Sequence, residues 1–253
     1  MKQKLYIVGC GIKFLSHLTL EVKLLIESCD FVLYLVNDPA IKRWIKENSR
    51  NSKSLDSLYF DNNDRKAAYN SISYEVMKYA KKNKTTCFVT YGHPLFLSNS
   101  SQSLIKEIEH NCSDIEMDVL PGISSLDSLC CDLRIDPSMG GMQAYEATDF
   151  LKENYIINKS SHIIFWQIGV IGIKKIILQE SDLCGNLERA NSLKYLKEKL
   201  LDIYDYKHPV IIYVASMYQT VPAVIYKTEL CNLDQVDIPR LATAYIPPEP
   251  GFD

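Results

Sequence analysis

The sequence predicts an α/β protein of two domains, the first built on a mostly parallel sheet and the second a mixed α/β unit with more antiparallel character. Three observations predict it. Short β-rich runs alternate with segments of helical period through the first half, the pattern of a parallel sheet covered by helices. Strand-like runs then dominate the second half, and helices become fewer. The chain has 253 residues, 47% of them hydrophobic, which is enough to bury a full core without a disulfide or metal staple.

The opening run "KLYIVGCG" reads as a strand closed by glycines. In "LTLEVKLLIESC", Leu18, Val22, Leu25 and Ile26 recur at helical spacing. "DFVLYLV" is a second buried strand, "AIKRWIKEN" a short helix, "RKAAYNSISYEVMKYAKKN" a long one and "TTCFVTY" a third strand. Residues 48 to 64 are polar and rich in Asn, Ser and Asp, which predicts a loop. A helix over "SQSLIKEIEHN" and a strand over "IEMDVLPG" follow, and the next helix, "SSLDSLCCDL", is capped by Ser124 or Ser125. The domain boundary is placed here, giving domains 1–119 and 120–253. Strands over "SHIIFWQIG", "HPVIIYVASM" and "LATAYIPP", with a helix over "SLKYLKEKLLDIY", make up the second domain.

Twenty-eight Lys and Arg against 31 Asp and Glu leave a net charge of −3, which gives no pull toward a nucleic-acid backbone or an anionic membrane. The eight cysteines contain no CxxC pair, so no zinc site is expected, and they read as reduced core thiols. The first residues are too short an apolar run for a signal peptide, and no stretch reaches the roughly 18 apolar residues of a membrane span. A soluble, cytoplasmic protein is expected.

Three stretches carry candidate chemistry. Gly9 and Gly11 of "VGCGIKF" follow a strand and precede a helix, where small residues let a ligand or a neighbouring backbone come close. The dinucleotide fingerprint fails, because Phe14 stands where the third glycine belongs and no acid sits about 20 residues on at the end of the second strand. "VTYGHPLF" ends a strand on Tyr91, Gly92 and His93, and ligands of open α/β sheets collect at such ends; a structural tyrosine beside a turn histidine is the alternative. Finally, Tyr59 lies upstream of Arg65 and Tyr69, which share a helix face at i and i+4. Phenols and a guanidinium can orient a neutral acceptor and stabilise developing negative charge, or they can be an exposed arginine stacked on tyrosine.

Taken in order, "VGCG", the Asp38–Pro39 pair, "YGHP", "LPGISS", "FWQIG", "YVASM" and "YIPP" give the chain a wider likeness. It resembles the tetrapyrrole-methylase superfamily of S-adenosylmethionine-dependent methyltransferases. Within that superfamily it looks like the borosin peptide backbone α-N-methyltransferases, through "YGHP", "DLRIDPS", "YEATDFL", "WQIG" and "YIPP". The resemblance implies a two-domain tetrapyrrole-methylase-like fold with S-adenosylmethionine (SAM) in the interdomain cleft and S-adenosyl-L-homocysteine as product. Carried over by position, it implies donor contacts from Tyr91, His93, Phe96, Ser124, Ser125, Gln167, Ala215, Ala242 and Thr243, and no metal.

The same resemblance places catalytic roles on Tyr59, Arg65, Tyr69 and Tyr91. Its acceptor is a backbone amide nitrogen, whose lone pair is delocalised into the carbonyl. Tyr69 or Tyr59 would then take or share the amide proton while Arg65 and a tyrosine hydroxyl stabilise the imidate oxygen. Two departures stand out: Leu95 where relatives often carry glycine, and Ser125 where alanine is common. Fungal members carry their substrate peptide as a C-terminal extension, whereas this chain stops at Asp253, so a split system is expected, acting in trans on a separate precursor with a leader or binding domain. Family members form interlocked homodimers, and residues 48 to 64 are a candidate clamp over a threading peptide. Two other functions remain open: methylation of a tetrapyrrole or other small molecule, and a non-catalytic SAM- or peptide-binding module.

Overall fold

The computed structural model describes residues 2–36, 38–61, 64–111, 114–173 and 180–249. It divides into two compact units, Met1–Ser128 with Ser216–Pro222, and Leu129–Ala215 with Ala223–Asp253. The division falls between Ser128 and Leu129 and not after residue 119, because the strand ending at Leu120 is hydrogen-bonded into the first sheet.

In chain order the first unit contains β1 (Gln3–Gly9), α1 (Leu20–Ser28), β2 (Phe31–Leu35), α2 (Pro39–Asn48), β3 (Ser52–Ser54), α3 (Asp56–Phe60), α4 (Arg65–Ala80), β4 (Thr85–Thr90), α5 (Asn99–Asn111) and β5 (Ile115–Leu120). Its sheet runs β3-β2-β4-β1-β5, and every pairing is parallel. Alternate side chains serve opposite faces, as the two-residue period of a strand requires. Leu5, Ile7, Leu33 and Phe88 pack with Ile72, Val76, Leu104 and Ile108 of α4 and α5. Val8, Val32, Cys87 and Val89 pack with Val22, Ile26, Ile41 and Ile45 of α1 and α2. Burial on both faces is why these strands read as continuous apolar runs.

Residues 48 to 64 are not simply a loop. Ser52, Lys53 and Ser54 pair with Val32, Leu33 and Tyr34 as the edge strand β3, and ladder hydrogen bonds come from backbone that polar residues supply as well as apolar ones. Leu55 then donates its N–H to the Tyr34 carbonyl at 2.9 Å, buries its side chain completely and launches α3. Positions 62 and 63 of that stretch lie outside the described residues.

Helix α6 (Ser125–Leu133) crosses the division. The second unit continues with β6 (Met142–Glu146), α7 (Ala147–Lys152), β7 (His162–Trp166), α8 (Leu187–Leu201), β8 (Pro209–Val214), β9 (Val224–Glu229) and β10 (Thr243–Ile246). Its sheet, β6-β7-β10-β8-β9, is antiparallel except where β6 meets β7. Ile163, Phe165, Val210, Ile212, Ala244 and Ile246 face a core closed by Phe150, Leu193, Leu196 and Leu200. On the other face the Tyr213 hydroxyl donates to Asp132 of α6 at 2.7 Å, and the Tyr245 hydroxyl lies 2.6 Å from His162 Nδ1. The sequence gives little sign of β9, an edge strand with Val224, Ile225 and Tyr226 all exposed.

Cys10, Cys29 and Cys87 are core thiols as expected, with Cys10 pushed up to about 12 by burial. Cys131 and Cys184 depart from the expectation: both are exposed. Cys112 lies outside the described residues. Among the described residues no helix is long and apolar enough to cross a membrane.

Candidate functional site

The carboxyl ends of β1, β4 and β5 meet through glycine. Gly11 and Gly92 exchange backbone hydrogen bonds of 3.1 and 3.0 Å, both at positive φ, and Cys10 N–H donates to the Thr90 carbonyl at 2.9 Å. A Cβ on Gly9 would stand 2.1 Å from the Gly92 carbonyl oxygen, and one on Gly122 would stand 2.5 Å from the same atom. Here the close approach is made by neighbouring backbone, so Gly9 and Gly122 serve packing of the strand ends.

That packing presents Tyr91 and His93. Tyr91 lies against the core on the α1 and α2 face and lines a small pocket with Cys10, Gly11, Ile12, Phe14 and Asp38, about 200 Å³ in all with its open mouth. Burial, with Cys10 and Asp38 nearby, holds its phenol well above the usual range. Such a phenol donates a hydrogen bond and does not serve as a base. His93 Nδ1 accepts the Leu95 N–H at 3.1 Å, which leaves the ring proton on Nε2. Phe96 N–H donates to the His93 carbonyl at 3.2 Å, and its side chain is half-buried.

At the end of β5, Ser124 and Asp127 cap α6 reciprocally. Ser124 N–H and hydroxyl both donate to Asp127 Oδ2 at 2.6 Å, while Asp127 N–H donates to Ser124 Oγ at 3.3 Å. Ser125, the first helical residue, is half-buried. Replacing Ser124 with Ala is expected to lower stability by about 1 kcal/mol, read from the urea midpoint.

Tyr59 and Tyr69 come together, their rings 6.2 Å apart and tilted by 30°. Arg65 opens α4 one turn before Tyr69, behind an Asp64 cap whose carboxylate accepts from Lys66 N–H (3.4 Å) and Ala67 N–H (3.0 Å). Both Arg65 and Tyr69 are half-buried, and Arg65 Nε is shut off from solvent. Tyr91 packs elsewhere: it lies with the α1 and α2 core, whereas Tyr59 packs with the α4 and α5 core.

In the second unit, Gln167, Ala215, Ala242 and Thr243 collect at one end of the strands, after β7 and β8 and at the start of β10. Because β10 is antiparallel to both neighbours, its first residues lie beside the last residues of β7 and β8: Thr243 pairs with Tyr213, and Ala244 with Phe165. Gln167 holds a left-handed backbone (φ 58°, ψ 29°), a conformation that costs a non-glycine residue about 1–3 kcal/mol and clusters at functional sites. Gly169 is two residues on, where a Cβ would meet the Pro239 carbonyl oxygen at 2.0 Å; this contact seats the turn against the residues leading to Ala242.

Two residues of this region escape sequence reasoning. Tyr218 donates its hydroxyl to Asp38, 180 positions away, and nothing in "SMYQTVP" marks that partner. Gly122 had a signal, a Pro-Gly after a strand, but its partner could not be read.

Residues 4–155 match the family model of the tetrapyrrole (corrin/porphyrin) methylases. The methyltransferase/ribosomally synthesized cyclic peptide gymnopeptides precursor of Gymnopus fusipes is 32% identical over 251 residues, 97% of this chain and 57% of that protein. The methyltransferase/ribosomally synthesized type I borosin cyclic peptide precursor of Coprinopsis marcescibilis is 30% identical over 251 residues, 97% of this chain and 62% of its own length. The chain thus spans about three-fifths of these curated relatives. Among solved structures, uroporphyrin-III-C-methyltransferase from Thermus thermophilus superposes with a TM-score of 0.67 at 15% identity, covering 98% of this chain and 93% of that one. The same enzyme complexed with S-adenosyl homocysteine gives 0.63 at 14% identity, covering 96% and 92%. These likenesses share the fold described above, a parallel sheet followed by a mixed one, and with the family model matching more than half of its length the chain belongs to the tetrapyrrole (corrin/porphyrin) methylases.

Proposed function

We propose that this chain is a SAM-dependent methyltransferase that places methyl groups on backbone amide nitrogens of a precursor peptide, and that the peptide is carried by a separate protein. The observation that carries the reading is the grouping of Tyr59 and Tyr69 at 6.2 Å beside the half-buried Arg65. Support also comes from relatives about 30% identical over 97% of the chain, whose names join a methyltransferase to a ribosomally synthesized peptide precursor. The exposed Leu20 and Leu24 of α1 support a homodimer, and a cytoplasmic location belongs to the same proposal.

The residues fit a nucleoside–amino acid donor. Within the first unit Tyr91, the Nε2–H of His93, Phe96, Ser124 and Ser125 offer aromatic surface and hydrogen-bonding groups at strand ends, and within the second Gln167, Ala215, Ala242 and Thr243 offer small and polar ones. Bound SAM supplies an electrophilic methyl group on a sulfonium. The protein's task is to make the amide nitrogen electron-rich. Tyr69 or Tyr59, acting as the phenolate, takes the N–H proton and becomes the neutral phenol, and the negative charge that grows on the carbonyl oxygen is met by the Arg65 guanidinium. Tyr91, kept protonated by burial, donates a hydrogen bond and leaves the base role to the other two tyrosines.

The test is mass spectrometry of a candidate precursor co-expressed as a separate chain. Increments of one methyl located on backbone nitrogen are expected. An unmodified precursor together with methylation of a tetrapyrrole carbon would overturn the proposal.

A further inference from the structure

Residues Ser216–Pro222 fold with the first unit as a strap. Its turn is pre-formed: the Ser216 hydroxyl donates to the Tyr218 carbonyl at 2.8 Å and accepts the Tyr218 N–H at 3.2 Å, and Val221 N–H donates to the Tyr218 carbonyl at 3.3 Å. Two bonds tie the strap down. Phe14 N–H donates to the Met217 carbonyl at 2.8 Å, and the Tyr218 hydroxyl donates to Asp38 Oδ2.

Both anchors border the strand-end pocket, since Phe14 and Asp38 are among its lining residues. The loop that walls it, residues 11–17, is not relaxed. Leu15 holds φ at 55° with its side chain 39% exposed, so burial of that side chain does little to keep it there. A conformation of this kind persists only where surrounding bonds over-determine it. Beside the loop's own bonds, Leu18 N–H to the Leu15 carbonyl among them, the strap adds one through the Met217 carbonyl, and Asp38 is built to anchor that strap. It is 4% exposed, and its Oδ1 accepts from Ala40 N–H at 2.7 Å and Ile41 N–H at 2.9 Å. The carboxylate is therefore fixed in rotation, and Oδ2 points one way, toward the strap.

We propose that Tyr218 and Asp38 form a latch: their hydrogen bond anchors the 216–222 strap to the start of α2, which keeps the Met217 carbonyl on the Phe14 N–H of the 11–17 loop and fixes a pocket rim on which methyl-donor affinity depends. The donor's identity rests on the function proposed above, while the latch rests on the geometry alone. The latch assigns both residues a positioning role, Tyr218 through Asp38 and Asp38 through the strap. A phenol donating to a carboxylate that is shielded from solvent is among the stronger hydrogen bonds, which suits it to anchor the strap.

The experiment compares Tyr218→Phe, Asp38→Asn and the double variant by SAM titration calorimetry and by hydrogen exchange at the Phe14 amide. Tyr218→Phe is expected to weaken SAM binding about tenfold and to speed Phe14 exchange by a similar factor. In turnover the loss falls on the donor KM more than on kcat. The double variant should bind no worse than Asp38→Asn alone, because the two residues act through one bond. Unchanged Phe14 exchange in Tyr218→Phe overturns the latch, and unchanged SAM affinity overturns its role in binding even where exchange quickens. Failure of the wild-type chain to bind SAM sinks the donor assignment instead, and Phe14 exchange then decides the latch by itself.

Discussion

Arg65→Ala and Tyr69→Phe are each expected to lower methylation at saturating donor by about 10²-fold or more, with SAM still bound. A neutral amide nitrogen reacts only as its proton leaves and charge builds on the carbonyl oxygen, so groups that meet that charge act mainly in the transition state. On the proposed function Arg65 would be held for this by the Asp64 cap, which fixes the first turn of α4, and by partial burial, which strengthens its field. Arg65→Lys keeps a charge but loses the planar fork, and it should fall between wild type and Arg65→Ala. Tyr59→Phe, run beside Tyr69→Phe, separates the two candidate bases: the substitution that flattens the pH dependence of kcat identifies the proton acceptor. Wild-type rates in Arg65→Ala and Tyr69→Phe alike would remove both residues from the chemistry.

Much of the first sheet was legible because β1, β2 and β4 are buried on both faces, so Leu5, Ile7, Val8, Val32, Leu33 and Phe88 appear as unbroken apolar runs. Two of the edge strands were hidden for the opposite reason. Ser52–Ser54 and Val224–Glu229 are held by backbone ladders that leave little or no apolar signature facing a core. Near the candidate site, local spacing could show that Arg65 and Tyr69 share a helix face, and that a serine precedes α6. Local spacing could not show that Tyr91 packs on the other side of the sheet from Tyr59, since that depends on which face each strand end turns toward. Asp38 and Tyr218 meet across 180 positions, a separation at which one sequence offers no pairing rule.

Gly9→Ala is expected to destabilise the fold by more than about 3 kcal/mol, the range of a core forced to accept an atom it has no room for. The added Cβ would lie 2.1 Å from the Gly92 carbonyl oxygen and 2.9 Å from Pro94 Cδ. Relief would require moving that carbonyl, which accepts the Gly11 N–H at 3.1 Å, so the bridge joining β1 to β4 would open as the clash closed. Gly122→Ala meets the same oxygen at 2.5 Å and should rank next. Gly185→Ala is the control: nothing lies within 4 Å of its Cβ, and its φ of +68° should cost only about 1–2 kcal/mol. Urea denaturation of the three variants separates a steric cause from a dihedral one, because a purely dihedral account makes Gly185→Ala the worst and Gly9→Ala nearly harmless. Since the Gly92 carbonyl sits between Tyr91 and His93, a shift forced there also displaces both side chains, and any Gly9→Ala protein that folds should lose donor affinity along with stability.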